Sequence, residues 1–255
     1  LNPRAMVLLF SLVTGMTIWE YCSLVNDRPF ISVNRFISTM SGVYLFLAMA
    51  GYNSGLTPST VFIPYLVSIV YLMVAELYMK AKDPINNWSY TMLSQLYIAL
   101  PFSTINILAF QDTPDGPVYN YLLPLSVFIF LWVNDTGAYC TGSLFGRHKL
   151  FPRVSPGKSW EGSIGGAVFV VIAAVVISCL SGTSSAVSTA VWIGLGLVVV
   201  VFGTLGDLVE SLFKRTLGVK DSGNILPGHG GMLDRFDSSL LAIPASVVYF
   251  YTLSL

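Results

Sequence analysis

Four residues within GTLGDLVESLFKR, positions 203–215, carry side chains for which an apolar segment has no ordinary use. Helical spacing puts positions i, i+3, i+4 and i+7 on one face, so Asp207, Glu210, Ser211 and Lys214 form a polar stripe while Leu208, Leu212 and Phe213 point elsewhere. Glu210 and Lys214 can neutralise each other as an i, i+4 pair, which leaves Asp207, one turn deeper, in need of a cation. Asp234 and Asp237 share an i, i+3 spacing at the start of the last apolar run. Either alone would serve as a helix cap. Both together with Asp207 have the chemistry of ligands for a hard divalent cation, which prefers carboxylate oxygens and shares its coordination with substrate phosphates.

Between these acids lies TLGVKDSGNILPGHGGML, positions 216–233, where Lys220, Asp221 and His229 sit among five glycines. Glycines let backbone N–H groups approach an anion closely, and lysines neutralise phosphate. A second polar region, positions 134–162, places Asp135 beside Asn134 where an apolar run ends, followed by Arg147, His148, Lys149, Lys158, Ser159 and Glu161. Gly157-Lys158-Ser159 does not read as a nucleotide phosphate loop, because Pro152 stands where that loop needs glycine and no strand is expected before it. Lys158, Ser159 and Glu161 are expected to contact phosphate or metal. Arg147, His148 and Lys149 read as a topology determinant drawn to anionic lipid, and His148 has no partner at metal-ligand spacing. Glu20 and Glu76 lie inside apolar runs and are expected to snorkel or to hydrogen-bond between helices, outside the site.

The elements that must position these groups are membrane helices. The chain is 54% hydrophobic and 10% charged, with a mean hydropathy of +0.71, against about 25% charged residues in a soluble domain. A span needs about 20 mostly apolar residues, which gives eight candidates: 5–26, 36–52, 58–79, 89–110, 120–143, 162–181, 186–213 and 236–255. The fold class is thus all-α and polytopic. Loops 27–35, 80–88, 144–161 and 214–235 hold twelve of the 13 Lys and Arg residues, and only Arg4 falls on the other side. Positive residues collect in cytoplasmic loops, so both polar regions are expected at the cytoplasmic face. Cys22, Cys140 and Cys179 read as small buried hydrophobes, with no spacing for a zinc site or a disulfide framework. Net charge is zero, and no repeat or low-complexity tract divides the chain.

The run Ser211-x-x-Lys214-Arg215, then Lys220-Asp221, then Pro227-Gly228-His229-Gly230-Gly231-x-x-Asp234-Arg235-x-Asp237 resembles the signature of CDP-diacylglycerol synthases, also called phosphatidate cytidylyltransferases. Every fixed position is filled. SPGKSWEG, Ser155–Gly162, is similar to a second motif of that family, with Gly157 standing where the family has the first of two adjacent lysines. The resemblance implies a single transmembrane cytidylyltransferase domain over 1–255, its catalytic part concentrated in 134–255, and one more N-terminal span than is counted here. It implies transfer of CMP from CTP to phosphatidate, giving CDP-diacylglycerol and pyrophosphate for phospholipid biosynthesis. Magnesium, a monovalent cation such as potassium, a homodimer, a cytoplasmic (inner) membrane location with the active site facing the cytoplasm, and no nucleic-acid partner complete the expectation. Carried over by residue, it makes Asp207, Asp234 and Asp237 metal ligands and adds Lys214 to the catalytic group. Ser211, Arg215, Lys220, Asp221, His229 and Arg235 would surround the substrates, joined by Lys158, Ser159, Glu161 and Asp135 from the second region.

Related chemistry offers an alternative in a CTP-dependent lipid kinase or an ether-lipid cytidylyltransferase. An ion-coupled secondary transporter also carries acids in its helices, but it would place them near the midplane on broken helices of two related repeats. The acids here gather at the cytoplasmic ends of helices instead.

Overall fold

The computed structural model describes residues 2–181, 187–223 and 230–253. His229, Pro227 and Gly228 of the motif lie outside the described residues. The chain is helical throughout, with two short antiparallel ribbons. Its contacts gather into two compact units, one formed by residues 1–121 with 217–236 and the other by 122–216 with 237–255.

The first unit holds α1 (Pro3–Asn26), α2 (Arg35–Asn53), a 3-10 turn (Ser59–Phe62) leading into α3 (Ile63–Met79), and a long helix broken into α4 (Pro84–Leu93), a π turn (Ser94–Ala99) and α5 (Leu100–Ala109). The ribbon β1–β2 (Phe110–Thr113, Gly116–Tyr119) closes it. α1 meets α2 through small residues: a Cβ at Gly42 would overlap Ile18 and lie 3.0 Å from the Cβ of Ala99. Buried Gln95 on the π turn donates from Nε2 to the carbonyl of Ser38 on α2 at 2.9 Å. The π turn ends two residues before Pro101, which has no N–H to offer a helical carbonyl.

The second unit is built from α6 (Leu122–Phe145), the ribbon β3–β4 (Lys149–Phe151, Ser155–Ser159), α7 (Trp160–Ser181), α8 (Thr189–Leu217) and most of α9 (Leu233–Leu253). Glycines set its close approaches. A Cβ at Gly166 would sit 2.8 Å from the Asn134 carbonyl, and one at Gly162 would sit 2.9 Å from that of Ala138, so α6 and α7 touch backbone to backbone. α8 touches α9 in the same way at Gly206, whose added Cβ would lie 2.8 Å from the Asp237 carbonyl and 3.0 Å from that of Ser238. Without an aqueous driving force, such small-residue seams are how membrane helices associate.

Among the described residues seven helical segments are long and apolar enough to cross a membrane, and they correspond to seven of the eight expected spans. The exception is α2, a 19-residue helix bounded by Arg35 and Asn53 and carrying buried Ser38 and Ser41. The span expected at 89–110 starts earlier, at Pro84, where Asp83 caps the helix by accepting the N–H of Asn86 at 3.2 Å. α8 likewise runs past 213 to Leu217, which puts Lys214 and Arg215 on the helix rather than in a loop. Contrary to expectation, residues 155–159 are a strand; pairing of Lys149 with Ser159 and Phe151 with Ser155 turns the basic loop into a ribbon that enters α7 directly. Of the cysteines, Cys22 is buried, whereas Cys140 and Cys179 lie on the outer surfaces of α6 and α7.

Gly206→Ala is expected to destabilise by about 1–3 kcal/mol, because two backbone carbonyls must yield to the new methyl group. Gly157→Ala meets nothing within 4 Å and should leave the unfolding midpoint unchanged. Thermal unfolding in detergent compares the two variants.

Candidate functional site

The Gly206 seam sets the next residue, Asp207, beside the first turns of α9. Asp207 and Asp237 act on each other electrostatically, and Lys158 and Lys214 oppose that repulsion at Asp237. The Lys158 ammonium, delivered by β4, reaches Asp207 Oδ2 at 2.5 Å, and Ser211 donates its hydroxyl to Oδ1 at 3.2 Å. Asp135 on α6 feels both Lys158 and Asp207. Of these residues Asp135 and Lys158 line a cavity of about 420 Å³, together with Asn134, Tyr139, Ser159 and Thr204. An ammonium at the cavity wall, paired with a part-exposed carboxylate, can exchange that partner for a phosphorylated ligand.

Lys214 pairs with Glu210 at 2.7 Å, the i, i+4 ion pair that the sequence offered as the simpler reading. Glu210 is fully buried, so its charge depends on that partner. Ser159 accepts the N–H of Gly162 at 3.2 Å and thereby caps α7. The Glu161 carboxylate is occupied with the turn after α6: it accepts the N–H groups of Arg147 and His148 at 3.2 Å and meets His148 Nδ1 at 2.6 Å. The partner that spacing could not find for His148 is therefore Glu161, through a turn anchor. Arg215 is exposed on α8.

Asp234 belongs to the first unit, where its Oδ2 accepts the N–H of Ser222 at 2.9 Å and that of Gly231 at 2.8 Å. Among the described residues no three His, Cys, Asp or Glu side chains form a group able to hold a metal ion. Of the three carboxylates grouped by spacing, Asp207 and Asp237 belong to the second unit and Asp234 to the first. Lys220, Asp221 and Arg235 are exposed in the same unit.

Glu20, expected to snorkel or to hydrogen-bond between helices, does the latter. Glu20 on α1 is 4% exposed; it accepts the Ser222 hydroxyl, the Met232 N–H at 2.8 Å and the Leu233 N–H at 3.1 Å. An acid inside an apolar run was the visible signal, but its partners lie more than 200 positions away. Ser222 gave no signal. Glu76 does hydrogen-bond between helices, accepting from Asn87 Nδ2 at 2.5 Å.

The model for the cytidylyltransferase family matches residues 1–253. A phosphatidate cytidylyltransferase of Haemophilus influenzae is 35% identical over 99% of this chain and 92% of its own length. Proteins of the same name from Staphylococcus aureus and Staphylococcus haemolyticus are 31% and 32% identical, over 96% and 93% of this chain and 89% and 87% of theirs. An integral membrane protein with seven apolar helices, matched along nearly its whole length, this chain belongs to the cytidylyltransferase family.

Proposed function

We propose that this chain transfers CMP from CTP to phosphatidate, giving CDP-diacylglycerol and pyrophosphate, at the cytoplasmic face of the inner membrane. The observation that carries the reading is the full-length match to relatives named phosphatidate cytidylyltransferase. The Asp207, Asp237 and Lys158 arrangement gives it a chemical basis.

The reaction asks little of a general base. The phosphate monoester of phosphatidate is already anionic near neutral pH, and one of its oxygens attacks the α-phosphorus of CTP. A new P–O bond forms to that phosphorus, and the α–β bridging bond breaks, leaving its electron pair on pyrophosphate. The barrier is the approach of one anion to another, so the protein must cancel charge and align the reactants. Lys158 is suited to this: it holds Asp207 in the free protein and lies at the cavity wall, where an entering phosphate competes for its ammonium. Lys214 adds positive potential at Asp237 while remaining tied to Glu210. Ser211 keeps the Asp207 carboxylate oriented.

Magnesium fits the residues present. It is commonly held by one or two carboxylates together with substrate phosphates and water, and Asp207 and Asp237 are two mutually repelling carboxylates of the same unit. When bound, it would neutralise charge on the nucleotide phosphates. A monovalent cation such as potassium and a homodimeric assembly belong to the proposal through the family likeness. Asp135 is a further carboxylate able to support the cation electrostatically.

Purified protein supplied with phosphatidate and CTP labelled at the α-phosphate should yield labelled lipid. Label entering lipid from the γ-phosphate instead would replace this reading with a lipid kinase. Asp207→Asn and Asp237→Asn should each lower turnover by about a hundredfold or more while the protein stays folded, since each removes a charge the reaction needs. Near-normal turnover in either variant would exclude that carboxylate as a ligand. A chelator should abolish activity and added magnesium restore it; transfer that persists in chelator would remove the metal from the scheme.

A further inference from the structure

We propose that Glu20 is a positioning residue for nucleotidyl transfer: its carboxylate reaches from α1 to clamp Ser222 and the start of α9. Through them it fixes the segment that carries Lys220, Asp221 and Asp234. The inference deepens the cytidylyltransferase reading and rests on it for the reaction affected.

The first backbone N–H groups of a helix have no partner within it and are ordinarily met by a side chain just before the first turn. α9 starts at Leu233, and the residue before it, Met232, has no side-chain oxygen to offer. Glu20 fills that place from another helix, taking the Met232 and Leu233 N–H groups on its two oxygens. An anionic acceptor at the positive end of a helix is worth more than a neutral one. The same carboxylate takes the Ser222 hydroxyl, so one side chain ties the beginning of the motif loop to its end. Asp234 reinforces the knot by accepting the N–H groups of Ser222 and Gly231.

Two motif glycines acquire a reason from this clamp. A Cβ at Gly231 would overlap both Glu20 Oε1 and Ser222 Oγ, and one at Gly223 would lie 2.8 Å from Glu20 Cδ. Both glycines make room for the Glu20 carboxylate. The helix that Glu20 caps carries Asp237 one turn further along its backbone. Displacement of reacting groups by even an ångström can cost about a hundredfold in rate.

The test uses full-length protein in detergent with Glu20→Gln, Glu20→Asp, Ser222→Ala and the double variant Glu20→Gln/Ser222→Ala. Three quantities are followed: tryptic cleavage after Lys220 without substrate, kcat and KM for CTP and phosphatidate, and the thermal unfolding midpoint. Glu20→Gln is expected to unfold cooperatively, to be cut after Lys220 about tenfold faster, and to lose about tenfold or more in kcat with KM for phosphatidate unchanged. The Glu20→Asp variant should recover part of the loss. The double variant should be no worse than Glu20→Gln alone, because both changes open one knot.

Unchanged cleavage, additive effects in the double variant, or a loss of activity that merely follows the folded fraction would each overturn the proposal. If Glu20→Gln fails to fold, Ser222→Ala and Glu20→Asp carry the same comparison. Should the unmodified protein transfer no label to phosphatidate, the functional reading fails, and cleavage after Lys220 still decides whether the clamp exists.

Discussion

A carboxylate inside a membrane helix must find a counter-charge or a set of hydrogen-bond donors, and that constraint organises this chain. Each acid answers it differently. Glu210 is fully buried and takes an ammonium one turn along its own helix. Glu20, nearly as buried, takes three donors from a loop and a helix start. Glu76 takes the amide of Asn87, which in turn accepts the N–H of Ser32. Asp207 and Asp237 are the pair whose mutual repulsion is met by lysines rather than by a closed set of donors. Such an arrangement is costly to keep for stability alone and well suited to receiving a cation with its phosphate ligands.

Glycine converts this electrostatic need into geometry. At Gly206 the absence of a side chain lets α8 rest on the backbone of α9, and the neighbouring Asp207 thereby comes within the field of Asp237. Gly162 and Gly166 do the same for α7 and α6, which brings the strand that ends at Ser159 to the cavity wall near Asp135. A larger side chain at any of these seams would separate charges that must act together.

Much of this was legible in the sequence, and the parts that were not share a cause. Apolar length gave eight spans, seven of which the described residues match, and helical periodicity gave the Asp207, Ser211 and Lys214 stripe, because both are local properties of a chain. The ribbon β3–β4 escaped because its pairing is set by register between short polar segments rather than by hydrophobic alternation. The loop bonds of Asp234 were not legible either: spacing along α9 groups it with Asp237, and gives no sign that it also accepts the N–H groups of Ser222 and Gly231. Glu20 was expected to snorkel or to hydrogen-bond between helices, but which groups it meets was not legible, because periodicity carries no information about contacts over more than 200 positions.

The two lysine–carboxylate pairs of the second unit have similar chemistry and different exposure. Lys214 and Glu210 are 14% and 0% exposed, so breaking that pair would strand a charge in a medium that cannot solvate it. Lys158 and Asp207 are 25% and 30% exposed, and Lys158 borders the cavity, so either partner can be released to a ligand without being buried alone. Exposure therefore separates a pair that holds the helix from one that can trade places with an incoming phosphate. The lysine that trades comes from a strand and the one that holds comes from α8 itself, which leaves the helix undisturbed when the accessible pair opens.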